Sequence, residues 1–257
     1  MRAELTLSMA TLYGFLLTLA RVTAALVYVP LPGIKQGPEL ARIVLALAAT
    51  LLLAPQWPVV EGDPSMGRLT GWLILEAGLG ILIGVVAGFM VEAFQIAAQA
   101  VGLEAGFAYA SMVDPQTQAD SGVLLVLAQL GAGLLFFALG MDHEVLRLFA
   151  RSLTTYPPGA WLPVSPSVEA ITRLGAGMFT TGLKLALPAL ALLTLVDLAL
   201  ALLGRLNSQL QLLTLAFPLK MLAAVAVLAW IAPLLPRVLG AYGAQALAGL
   251  RAVVEHP

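Results

Sequence analysis

Long apolar stretches separated by proline- and glycine-rich breaks set the pattern of this chain. The first run covers residues 5–31 and stops at Pro30-Leu31-Pro32-Gly33, a helix-ending combination. Gly37-Pro38-Glu39 opens a second run, residues 40–54. As a helix it would be about 22 Å long, short of a hydrocarbon core of about 30 Å. Pro55, Pro58 and Pro64, with Glu61-Gly62-Asp63, make a polar linker. The third run starts near Gly71-Trp72 and stays helix-compatible to about Leu103, roughly 46–50 Å, more than one bilayer crossing. Residues 123–140 form a fourth. Met141-Asp142-His143-Glu144 comes next, then an amphipathic stretch, 145–153, with Arg147 and Arg151 on one face. Tyr156-Pro157-Pro158-Gly159 ends it, and residues 161–167 read as a linker. Residues 169–203 are the fifth region, and 204–211 a polar turn. Phe217-Pro218-Leu219-Lys220 opens the last run, to about Pro233, and Arg237 and Arg251 mark a polar tail. The pattern predicts an all-α membrane protein of paired, kinked helical hairpins. It has about six hydrophobic helical regions, with residues 1–257 a single integral membrane domain.

The third run has an unusual face. Gly80, Gly84, Gly88, Glu92, Gln95, Gln99, Gly102 and Gly106 recur with a mean spacing of about 3.7 residues, close to the helical 3.6. Ile81, Val91 and Ala98 fall within the same sector. The small residues of its first half let another helix approach closely, whereas lipid would penalise the polar second half. The stripe is either a close-packing seam with amides at an interface, or a helix whose second half faces a hydrated lumen or a polar subunit contact.

Between the third and fourth runs lies the half-apolar, half-acidic segment 102–122. It holds Glu104, Asp114 and Asp120 but no Lys or Arg, together with Phe107, Tyr109 and Met112. Asp114-Pro115 turns the chain, because proline disfavours helix for the residue before it. Such a segment is buried against partners or lines a pathway, the two settings in which irregular backbone is tolerated at membrane depth.

Composition strengthens the membrane assignment. Of 257 residues, 60% are hydrophobic and 11% charged, where soluble domains carry about 25% charged; mean hydropathy is +0.96. A net charge of −1 argues against nucleic-acid binding. Cysteine is absent, which removes disulfides, thiolate metal sites and catalytic thiols. Arg2 before an apolar run superficially resembles a signal peptide. Glu4 offsets that charge, and Arg21 and Arg42 interrupt the apolar residues beyond it, so cleavage is not expected.

Arg21, Glu76, Glu92, Lys184, Asp197 and Lys220 lie inside the apolar runs. Each would cost roughly 2.5–3.5 kcal/mol at a bilayer centre, and such groups normally face protein or water. Lys184 and Asp197 stand about 20 Å apart in an unbroken helix. A break near Pro188, or pairing of each with another element, would accommodate them. The distribution of Lys and Arg leans toward a cytoplasmic N-terminus. Runs that are too short, too long or charged suggest an assembly that does not lie in the membrane as ordinary spans.

Catalytic signatures are missing. His143 sits between Asp142 and Glu144, but sequence neighbours on a helix point in different directions. There is no HExxH, GxSxG or glycine-rich phosphate loop with lysine. Neither an enzyme nor a bound cofactor or metal is expected.

Gly102-Leu103-Glu104-Ala105-Gly106-Phe107-Ala108-Tyr109-Ala110 followed by Val113-Asp114-Pro115 resembles the central signature of the flagellar FliR family. Later segments keep the same order: His143 after an apolar run, Ser152-Leu153 leading into Tyr156-Pro157-Pro158-Gly159, Ala186-Leu187-Pro188, and Arg205 before Gln209-Leu210 and Phe217-Pro218-Leu219-Lys220. Ser208-Gln209 and Ala216 depart from the family's usual Pro-Gln and glycine. The resemblance implies a core subunit of the type III protein export gate, in a helical assembly with FliP-like and FliQ-like proteins and a further export-apparatus membrane protein. It implies a multi-pass protein of the bacterial inner membrane and flagellar basal body, transporting unfolded flagellar proteins. A FliP-like region would be followed by a FliQ-like one. The central loop, about 106–122, would be the pore plug, with Phe107, Tyr109, Met112, Asp114 and Pro115 in it. The alternatives are an injectisome export-gate subunit or a small-solute transporter, which would place paired ionisable groups on broken helices.

Overall fold

The computed structural model describes residues 8–30, 39–60, 62, 64–107, 122–162, 165–206 and 212–255. Regular structure among them is entirely helical: α1 (Met9–Leu26), α2 (Glu39–Leu52), α3 (Met66–Glu104), α4 (Val123–Ala138), α5 (Met141–Thr155), α6 (Ser165–Leu206), α7 (Leu212–Ile231) and α8 (Leu235–Glu255). Four stretches among the described residues are long and apolar enough to cross a membrane: Met9–Leu26, Met66–Glu104, Val168–Arg205 and Ala216–Val254.

Local chemistry explains the boundaries. Ser8 caps α1, its side chain accepting from the Thr11 backbone N–H at 3.2 Å. Glu39 in the first turn of α2 complements the positive helix end. No proline interrupts the 39 residues of α3, which therefore runs about 58 Å. Gly140, at φ 69°, takes the left-handed turn from which α5 starts. α6 continues through Pro188 for 42 residues.

The described chain forms two compact units, each built from separate segments. The first takes α1, α2, the beginning of α3 to Phe89, α5, α6 to Gly175 and α8 from Gly243. Its buried residues include Leu17, Leu79, Ile83, Leu148, Leu153, Leu250 and Val254. The second takes α3 from Met90, α4, α6 from Ala176, α7 and α8 to Tyr242. Its core is Val101, Ala105, Ala186, Ala189, Leu193 and Ala224, with Leu124, Val227 and Leu228 packed against it.

Helix α3 spans the predicted third run and carries Glu92, Gln95 and Gln99 in helix. Three other boundaries differ from expectation. Helix α6 begins at Ser165, inside the predicted linker, and Trp161 just before it is buried with its ring against Gly78. Helix α7 begins at Leu212, so Pro218 lies within it. Pro218 is the seventh residue of α7, beyond the four N-terminal N–H groups that lack intrahelical acceptors, so it removes one i→i−4 hydrogen bond from the helix. The predicted polar tail is instead the 21-residue helix α8. Leu239, Tyr242, Ala246, Leu250 and Val253 are buried along it at helical spacing, and Arg237 and Arg251 are exposed.

Candidate functional site

The site begins where α3 gives way to the central loop, in the second unit. The N–H of Phe107 donates to the Gly102 carbonyl at 3.0 Å and that of Gly106 to the Leu103 carbonyl at 3.2 Å. With Gly106 at φ 83°, this is a Schellman cap, which satisfies the last carbonyls and turns the chain sharply. A Cβ on Gly106 would lie 2.7 Å from the Phe217 ring, so glycine is required both by the backbone and by the neighbour. Phe107 is half-buried against the core of α3, α6 and α7.

Lys220 of α7 secures the same corner. Its Nζ donates to Asp197 Oδ2 of α6 at 2.8 Å and stands 3.6 Å from Glu104 Oε1 in the last turn of α3. The Lys220 side chain is 15% exposed, against 39% for Glu104 and 43% for Asp197. One largely buried cation thus ties three helices where the loop leaves them. Asp197 does not need Lys184 across a break at Pro188. Of the predicted plug residues, Phe107 is placed at this root; Tyr109, Met112, Asp114 and Pro115 lie outside the described residues.

The glycine stripe divides in two. In the first unit, Gly80 and Gly84 are buried, and a Cβ on either would collide with the backbone carbonyl of Arg21 or Ala25 in α1. At Gly88 the Tyr28 carbonyl would lie 3.0 Å away. Backbone approach on this scale needs glycine. In the second unit, Glu92 and Gln95 are half-buried, Gln99 is exposed and Gly102 is buried. Among the described residues, Leu124 Cδ2 lies 3.8 Å from a Cβ on Gly102.

A polar cluster that pattern reading did not assemble lies inside the first unit. Arg21 Nε donates to Glu76 Oε2 at 2.5 Å, with the side chains 2% and 4% exposed. A second guanidinium nitrogen donates to Ser152 Oγ at 3.0 Å and a third reaches the Tyr156 carbonyl at 3.4 Å. Ser152 Oγ donates to the Phe149 carbonyl at 2.7 Å, and Tyr156 Oη donates to the Val253 carbonyl at 2.8 Å. Burial pushes the Tyr156 phenol above its usual value, so it stays a donor. One charge pair thereby fastens α1, α3 and α5, and the Tyr156 phenol extends the network to α8. Arg21 and Glu76 were visible as charges in apolar runs, but 55 positions separate them, which periodicity cannot bridge.

At the start of α5, Asp142 reaches its neighbour His143 at 3.0 Å, closer than divergent helix positions suggested. Glu144 binds Arg147 at 2.7 Å and also pairs with Arg251 of α8; both arginines hold its carboxyl below the usual range. No group of three or more His, Cys, Asp or Glu side chains could hold a metal among the described residues. The arrangement is suited to fastening helices and a loop root.

Residues 12–245 match the family model described as bacterial export proteins, family 1. A flagellar biosynthetic protein FliR of Escherichia coli K12 is 30% identical over 221 residues, 84% of this chain and 83% of that one. That of Pectobacterium carotovorum is 32% identical over 199 residues, 76% and 75% of the two chains. That of Bacillus subtilis 168 is 28% identical over 213 residues, 80% and 81%.

Proposed function

The chain belongs to bacterial export protein family 1, and from that premise we propose that it is a core subunit of the flagellar type III protein export gate. It works by assembling and closing a channel, without catalysing a reaction. Its partners are FliP-like and FliQ-like membrane proteins and a further membrane component of the export apparatus. Its place is the bacterial inner membrane at the flagellar basal body, and its cargo is unfolded flagellar protein. The FliP-like part precedes the FliQ-like part.

One observation carries the gate reading: the corner at Gly106 is fixed by a cap, an aromatic neighbour and the Lys220 ion pairs. A pore that passes unfolded chains is wide when open and must stop ions when shut. A narrow apolar constriction does this by dewetting. Phe107 anchors the root of the loop, Tyr109 and Met112 supply bulk beyond it, and the Asp114-Pro115 turn returns the chain. In this reading the cap and Lys220 keep α3 fastened when the plug opens. The family match does not favour the transporter alternative, and α6 continues unbroken through Pro188.

The test deletes residues 106–122, or replaces Phe107, Tyr109 and Met112 by glycine, in the assembled complex. Ion leakage across the inner membrane rises while the partners still co-purify. An assembled variant that conducts no more than the unmodified complex refutes the plug.

A further inference from the structure

Helix α6 has two unlike faces in the second unit. Gly182, Ala186, Ala189 and Leu193 are buried, and a Cβ on Gly182 would lie 2.8 Å from the Ala93 carbonyl of α3. Lys184 stands two positions further on, about 200° around the helix, and is exposed. Leu187, Ala191 and Leu195 continue that exposed face at helical spacing. No acceptor for the Lys184 ammonium exists among the described residues, whereas Lys220 has two carboxylates.

Two features make this position unlike a lipid-facing surface. Lys184 lies about 24 Å from one end of the apolar stretch Val168–Arg205 and about 32 Å from the other. An ammonium with no described acceptor on an apolar helix face is costly where lipid covers it, and such groups normally face protein or water. In addition, Pro188 lies inside α6 and has no N–H to give to the carbonyl of Lys184, four residues earlier. A cation and a carbonyl short of its helical donor therefore sit together on a leucine-rich face.

We infer that this face of α6 docks a membrane helix of a partner protein that carries a carboxylate at the depth of Lys184, with a hydroxyl or amide donor beside it for the Lys184 carbonyl. Charge complementarity sets the register of the contact, and Leu187, Ala191 and Leu195 supply its apolar area. The inference rests on the export-gate reading, which provides partner membrane helices.

The experiment places a photocrosslinking amino acid at Leu187, one turn from Lys184, in cells producing the chain with the neighbouring membrane proteins of its gene cluster. The expected adduct is with a partner helix containing Asp or Glu. Lys184→Glu lowers co-purification of that partner about ten-fold or more, Lys184→Met lowers it less, and changing the partner's acid to Lys restores it with Lys184→Glu. Adducts only with lipid, or only with a second copy of this chain, overturn the inference. So does full co-purification by Lys184→Glu. Should Lys184→Glu fail to accumulate, the crosslink on the Lys184 background decides. Failure of the gate reading looks different: the unaltered chain recovers no membrane partner, and its loss leaves flagellar export intact.

Discussion

Replacing Glu76 by Leu strands the Arg21 guanidinium where its side chain is 2% exposed. At 2.5 Å and an effective dielectric of about 20, the gross attraction of the pair is about 7 kcal/mol. Desolvation costs several kcal/mol for each ion, so the pair as a whole nearly breaks even. Breaking it by removing one partner does not, and Glu76→Leu is expected to cost about 3–5 kcal/mol. Arg21→Met costs a similar amount, because it leaves the carboxylate buried. The double variant Arg21→Met/Glu76→Leu removes both charges and falls close to the unmodified protein. Ser152→Ala alone costs about 1.5–3 kcal/mol, for one hydrogen bond to a charged group. The assay is reversible denaturant unfolding in detergent micelles, followed by helical circular dichroism and read as a double-mutant cycle. A Glu76→Leu cost below about 1 kcal/mol, or a double variant as unstable as the sum of the singles, refutes the reasoning.

The glycines give two further outcomes. Gly80→Ala and Gly84→Ala press a methyl onto α1 carbonyls and each cost about 1–3 kcal/mol in the same assay. Gly102→Ala, whose new methyl meets Leu124 Cδ2 at 3.8 Å among the described residues, is tolerated, and equal losses at all three positions would sink the seam. Gly106→Ala meets a left-handed backbone and the Phe217 ring and costs about 1–2 kcal/mol or more. Hydrogen exchange at the Phe107 amide accelerates while amides in α1 stay protected; unchanged exchange at Phe107 argues against the cap.

The chain alone determined the helical class, the membrane-scale runs, the length of α3 through Gln99 and the family signature around Gly102–Phe107. These are local properties: apolar period, helix breakers and short motifs are written in consecutive residues. It missed α8, although Leu239, Tyr242, Ala246, Leu250 and Val253 recur at helical intervals, because a helix with an apolar stripe and exposed arginines has the composition of a tail. It also misplaced the start of α7, since Phe217-Pro218 reads as a break although the helix continues through this interior proline, as α6 does at Pro188. Tertiary structure decided which charges meet. Arg21 finds Glu76 and Ser152, Lys220 finds Asp197 and Glu104, and Lys184 finds no described partner. It also decided that Gly80 and Gly84 face a backbone whereas Gly102, among the described residues, faces a Leu124 methyl group. The physical reason is that a side chain's position in a run sets its direction around its own helix, but only the packing of helices distant in sequence sets what stands opposite.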